Sequence, residues 1–362
     1  MAHMNFNFKF NNYQSLYIFF LLFALIKIFF STSNLYAKGF NINNVEISTK
    51  FEINFNRDHV LDEGFDLSFN KLINTILKSE DQKKINNTSL NQIKSMIETF
   101  SIKEEKFINQ IYYLNLDVTF NKKQVFEFLE KNNVFPSLPI KNKIFLLPII
   151  IDENKDELFV FSNNFILNKI NKNNQSHELL EYVLPSDDLE DLKLIKDNLK
   201  DIENYNFTKI IDKYFLSDYV IVLLFKNYDQ LRILSKINFN KKIFIDNKTF
   251  PDLNLTRIEN QNKLVQKMKT IYEDQWKMIN QINTSIKLPL TISIENNESL
   301  KISKFEKILT EQDLIYDFNI SKFDHKKIYY KIIFNGSPDV FFANMANFGY
   351  QFEFKDQVWI LK

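Results

Sequence analysis

The chain alternates between two rhythms, a two-residue apolar repeat and a three-to-four-residue repeat, and the changes between them mark its elements. Residues 40–47 place Phe40, Ile42, Val45 and Ile47 among polar neighbours, which predicts a strand. Phe65, Phe69, Leu72, Ile73, Ile76 and Leu77 then share one stripe of a helix. A second helix carries Leu90, Ile93, Met96 and Ile97, with Thr88 or Ser89 as its N-cap. Residues 107–120 predict one or two strands, and residues 122–131 a helix that ends before Pro136 and Pro139.

Residues 144–151 are almost unbroken apolar, the pattern of a strand covered on both faces. A helix over 164–170, a polar loop over 171–175 and a short strand over 182–184 follow. Helices are expected over 188–198 and 207–215, a second buried strand over 218–224, and alternating strands over 231–239 and 242–249. Strand–helix–strand order of this kind predicts an α/β layer.

After Pro251 a long helix is expected over 256–281. Ile258, Val265, Tyr272 and Ile279 recur every seven residues, with Leu264, Ile271 and Met278 beside them. Such a stripe fits a partner helix, but Gln261 and Gln275 interrupt the second heptad position, so the helix is expected to lie on its own sheet. From Pro289 onward the pattern reads strand, helix, strand, strand, helix and a hairpin about Lys355-Asp356, with Gly349 closing the last helix. That order, βαββαβ, is the ferredoxin-like plan.

The N-terminal region has a different character. Lys9 precedes an apolar run at 16–30 that only Lys27 breaks, and Ser31, Ser33 and Ala37 follow. The uninterrupted part, residues 16–26, is 11 residues long, short of the ~20 needed to span a bilayer. It predicts an export signal cleaved after Ala37, the alternative being a tether to the inner membrane through residues 16–30. Residues 1–4 have the look of an added tag and carry no fold information.

Composition changes this picture in few places. Phe, Ile, Lys and Asn dominate and Arg57, Arg232 and Arg257 are the only arginines, a bias that AT-rich codons explain. Net charge is +1, which favours neither nucleic acid nor an acidic membrane surface as a partner. Cysteine is absent, so disulfides, thiolate metal sites, cysteine nucleophiles and a lipoprotein anchor are excluded.

Candidate chemistry is sparse. Asp187, Asp188, Glu190 and Asp191 form the densest acidic cluster. At a helix start, Asp187 and Glu190 fit a capping box and Asp188 suits the positive end of the helix. If the cluster is instead catalytic or binds metal, Asp188 and Asp191 are the residues that carry it. His59 stands near Asp58, Asp62 and Glu63, and His177 and His325 are expected at the surface. Neither a His-Glu-x-x-His string, a Gly-x-Ser-x-Gly elbow nor a Gly-rich phosphate loop occurs, since Gly39, Gly64, Gly336 and Gly349 are scattered. No cofactor or metal is expected.

Three strings carry a resemblance. Residues 184–191 contain Pro185 followed by Asp188-Leu189-Glu190-Asp191, residues 215–222 join Asp218 to an apolar strand, and Phe159 and Phe165 bracket a third. In these the chain resembles the exported proteobacterial family called domain of unknown function 2066, with Leu216 and Ser217 in place of that family's Gly-Ala pair. The middle region is also similar to the small α/β domain of the TolB, CsgG and FlgT type, which implies protein contacts in envelope assembly. The expected fold is a multidomain α/β and α+β protein. Its segments are an export segment over 1–37, an α+β domain over 38–140 and a three-layer α/β domain over 141–250. A linking helix over 251–283 and a ferredoxin-like domain over 284–362 complete it. The expected role is non-enzymatic binding of other envelope proteins in the periplasm. The alternative is an envelope hydrolase or small-ligand-binding protein using Asp188 and Asp191.

Overall fold

The computed structural model describes residues 39–172, 177–228, 230–251 and 255–362. The expected export segment, its cleavage site and His3 lie outside the described residues, as does most of the polar loop expected at 171–175. The fold is mixed α/β and α+β, built on three sheets. Among the described residues no helix is long and apolar enough to cross a membrane.

The first sheet forms from β1 (Phe40–Lys50), β2 (Ile97–Ile108) and β3 (Ile111–Phe120), with β3 in the centre and both pairings antiparallel. The helices are α1 (Arg57–Ile76), α2 (Ser79–Gln82), α3 (Leu90–Met96) and α4 (Lys122–Lys131). Ser89 caps α3 in a reciprocal box with Gln92. Along β3, Tyr112, Leu114, Leu116, Val118 and Phe120 point into a core shared with Phe65, Phe69, Leu72 and Ile76 of α1. Gly64 lets α1 approach this sheet, because a Cβ there would collide with the Leu116 side chain.

Strand β2 begins ten residues before the expected start at 107, which corrects that boundary. Its charged run Lys103-Glu104-Glu105-Lys106 is tolerated because β2 lies at the sheet edge, where a strand needs no apolar face.

The second sheet uses β4 (Asn142–Asp152), β5 (Glu157–Phe159), β6 (Leu180–Val183), β7 (Tyr219–Lys226), β8 (Gln230–Phe239) and β9 (Lys242–Pro251). Its order is β5-β4-β7-β8-β9, and β6 shares one side of β4 with β5. Helices α5 (Phe165–Ile170), α6 (Leu189–Asp197), α7 (Thr208–Ile211) and α8 (Ile258–Ile279) cover it. Ile144, Leu146 and Ile150 of β4 pack toward α5 and α8. Phe145, Leu147, Ile149 and Ile151 pack toward α6 and α7, which is why this strand reads as continuously apolar. Helix α8 lies on the sheet through Leu264, Val265, Met268, Tyr272 and Trp276, while Ile258 is left exposed. The buried stripe thus follows the helical period and not the heptad.

The third sheet contains β10 (Leu288–Glu295), β11 (Ile315–Phe323), β12 (Lys327–Phe334), β13 (Phe352–Lys355) and β14 (Val358–Leu361), in the order β11-β12-β10-β14-β13. Strands β10 and β14 run parallel and the other neighbours antiparallel. Helices α9 (Ser299–Glu311) and α10 (Pro338–Asn347) supply Phe305, Phe341 and Met345 to its core. Ser337 caps α10, and Gly349 turns the chain out of it at φ +83. The final hairpin turns on Asp356-Gln357, both at positive φ, one residue later than expected.

The sheets are tied together by polar contacts. Trp276 Nε1 of α8 donates to the Ile140 carbonyl at 2.7 Å, and the Tyr316 hydroxyl of β11 donates to Glu127 of α4 at 2.6 Å.

Candidate functional site

The acidic segment folds as a brace around one lysine. Asp188, not Asp187, caps α6, its Oδ1 accepting from the backbone amides of Glu190 at 2.8 Å and Asp191 at 3.3 Å. This corrects the expected Asp187–Glu190 capping box; Asp187 and Glu190 are exposed. The geometry favours Asp188 because its extended backbone leaves its own side chain over the first free amides. Lys213 Nζ then lies 2.8 Å from Asp188 and 2.7 Å from Asp191. Its hydrogen bonds to the two carboxylates raise the Lys213 pKa, and the bond to Lys213 lowers that of Asp188. Asp191 is buried, and Tyr214, next to Lys213, stacks on Phe145 at 4.1 Å. Asp188 and Asp191 are therefore brought together by a shared ion pair with Lys213, and one Asp188 oxygen is engaged in the helix cap. Among the described residues no group of three or more acidic or histidine side chains could hold a metal ion.

The histidines do not converge. His59 is exposed on the first turn of α1, and His325 is exposed beside Asp324. His177, expected at the surface, is half-buried in a cleft between α8, α2 and the segment leading into β6. Burial, first, and the neighbouring Lys277 lower its pKa.

That cleft, about 210 Å³, holds a row of charges that the sequence pattern hides. Lys269, Glu273 and Lys277 recur every four residues on α8 and all three are buried. Glu273 Oε1 accepts from the amides of Leu179 at 2.9 Å and Leu180 at 2.8 Å, where β6 begins. Its Oε2 is buried with no hydrogen-bond partner. Lys269 pairs with Glu178 at 2.8 Å, and Lys277 donates to the Asn74 carbonyl at the end of α1. Burial pushes Glu273 up and Lys277 down, so each is held nearer its neutral form than in water. The detectable signal in the sequence is the Lys-Glu-Lys spacing on the same stripe as Val265 and Tyr272.

A second feature lies at the far end of the first sheet. The β2–β3 hairpin turns at Asn109-Gln110, and the chain leaving β1 meets it, Phe51 N–H donating to the Gln110 carbonyl. Phe51 stands 4.7 Å from both Phe55 and Phe107, and Phe55 stands 4.8 Å from Tyr112. Ile53, beyond them, is fully exposed at 104%, and Phe51, Phe107 and Ile108 are each about half exposed. These side chains form an apolar ledge. Arg57 clamps Glu105 at 2.7 Å on one side of it, and Tyr112 also donates to Glu105. On the outward face of the same sheet, a hollow of about 330 Å³ is rimmed by Glu46, Ser48, Glu104 and Lys106. An apolar centre with a polar, charge-paired margin is the anatomy of a protein contact. The sequence signal is a cluster of apolar residues flanking a turn, where solvent-facing positions are ordinarily polar.

No family model and no curated protein matches the chain.

Proposed function

We propose that this chain is an exported, non-enzymatic component of the cell envelope that binds another protein through the ledge of Phe51, Ile53, Phe107 and Ile108. The observation that carries the reading is Ile53, a large apolar side chain left wholly in water beside two half-exposed phenylalanines already packed edge to face. Burying such a cluster against a partner releases about 25 cal/mol for each Å² of apolar surface, at no cost in unfolding the ledge. Export through residues 1–37 and kinship with the domain of unknown function 2066 family belong to the same reading, supported by the strings at 159–165, 184–191 and 215–222. Helices on both faces of the second sheet support the likeness to the TolB type, and the β11-β12-β10-β14 order supports a ferredoxin-like third unit.

The test is a photo-reactive residue in place of Ile53 in living cells, with Ile258, exposed on α8, as the control position. A single protein adduct at 53 that is missing at 258, and lost when Phe51 and Phe107 are both changed to serine, is the expected result. No adduct at 53 sinks the proposal.

The alternative, a small-ligand site, is favoured by the unpartnered Glu273 Oε2 in its cleft more than by Asp188 and Asp191. It predicts that a bound polar molecule raises Tm in the native chain and not in Glu273→Gln.

A further inference from the structure

The second sheet ends in an open edge. Strand β9 pairs with β8 over its whole length without a bulge and, among the described residues, has no neighbour on its other side. The two-residue turn Asn240-Lys241, with φ 51 and 63, closes this hairpin with Phe239 opposite Lys242. In such a hairpin the closing pair exchanges hydrogen bonds, so the even-numbered residues of β9 point their backbone groups at β8. Ile243, Ile245, Asn247 and Thr249 therefore present their N–H and C=O groups outward.

The side chains on this edge are unusual for one left in water. Ile243 is 72% exposed and Ile245 is 68% exposed. On their face the covering layer stops one strand short. Lys236, opposite Ile245, lies over the Phe207 ring at 5.9 Å, and the isoleucines stand beyond it. On the opposite face Phe244 and Phe250 are half-buried against the α8 core. A long, regular, apolar edge of this kind is a template for another strand.

We propose that β9 joins β9 of a second copy of this chain, antiparallel about a two-fold axis at Phe244, to make one continuous sheet. The charges select this occupant and this register. Centred on Phe244, Lys242 lies opposite the second copy's Asp246, and the axis repeats that pair. Ile243 lies opposite the second copy's Ile245, again twice, so the four exposed isoleucines cover one another. The outward amides of 243 and 245 fit, since in this register those residues form the hydrogen-bonded pairs. Centring on Ile245 puts Lys242 opposite Lys248, and centring on Asp246 puts the two acids opposite each other. Centring on Asn247 sets Ile243 against Pro251, which has no N–H to give.

The experiment is sedimentation velocity on the full chain across a range of concentrations. A monomer–dimer equilibrium is expected. Lys242→Asp alone, or Asp246→Lys alone, places like charges opposite each other twice and weakens association about tenfold or more. An equimolar mixture of the two variants restores both opposite-charge pairs and recovers the dimer, which a merely misfolded variant does not do. Ile243→Lys with Ile245→Lys, both at exposed positions, abolishes it. A chain that stays monomeric at every concentration overturns the proposal. So does a dimer that survives the isoleucine substitutions, or a mixture no better than its components.

Discussion

Asp274 of α8 accepts from both the backbone amide and the hydroxyl of Ser79, 195 positions earlier in the chain, the amide bond being 2.8 Å long. Ser79 is the first residue of α2, whose own preceding residue, Lys78, gives no side-chain cap. The free end of one short helix is thus capped from a different sheet's helix. That bond and the Lys277 contact to Asn74 fix where the first unit sits against α8.

Asp274→Ala removes the acceptor for both donors and is expected to cost about 1 kcal/mol, in the range of a lost cap. Hydrogen exchange reads it locally. The amides of α2 lose protection while those of β4 and β7, deep in the second sheet, keep theirs. Equal loss everywhere, or none in α2, contradicts the capping role.

Glu273 carries a heavier load because the two amides it serves are buried. Glu273→Ala leaves the Leu179 and Leu180 N–H groups without an acceptor and is expected to cost about 2–4 kcal/mol. Glu273→Gln keeps an oxygen in the same place, so its cost is expected to be clearly smaller. Chemical denaturation of the three proteins separates the outcomes, and an alanine variant as stable as the glutamine variant refutes the account.

His177 gives a pH signature. Its folded pKa lies below the ordinary 6.5, so the unfolded chain takes up the proton first as pH falls. Its contribution is complete above the unfolded pKa and is lost as pH drops through the folded value. Tm of the native chain should therefore fall as pH drops below about 6.5, and that slope should flatten in His177→Gln. Glu105, held at about 2 chiefly by its hydrogen bond to Arg57, begins to lose its contribution only below its ordinary 4.5. The two effects occupy different windows, and identical slopes above pH 5 in both proteins would refute the assignment.

How far the fold was legible follows from which forces acted locally. Strands β4 and β7 were plain because burial on both faces leaves few polar positions, and α4 was plain because its apolar stripe lies within its own ten residues, directly after its cap Asn121. The early start of β2 was hidden by Lys103, Glu104, Glu105 and Lys106, an exposed run inside the strand that binary patterning scores as loop. The candidate sites were hidden for another reason. Lys269, Glu273 and Lys277 are charged residues at buried positions, acceptable only because partners from α1 and from the segment entering β6 meet them there. The ledge depends on Phe51 meeting Phe107 across a hairpin whose registry no local pattern reports.

The brace at Lys213 offers the sharpest test of the acidic segment. Asp191 is 1% exposed and its second oxygen has no hydrogen-bond partner, so Lys213 supplies the compensation for its charge. Lys213→Met removes that compensation but leaves the Asp188 cap on α6 intact, whereas Asp188→Asn keeps the cap's oxygen and weakens only the bond to Lys213. A structural brace therefore predicts an order: Lys213→Met lowers Tm markedly, Asp188→Asn lowers it little, and adding Asp191→Asn to Lys213→Met recovers much of the loss, because the stranded charge is gone. A chemical role predicts the reverse pattern in cells, with Asp191→Asn losing activity while Tm holds. Measuring Tm and cellular complementation on the same four proteins decides between them.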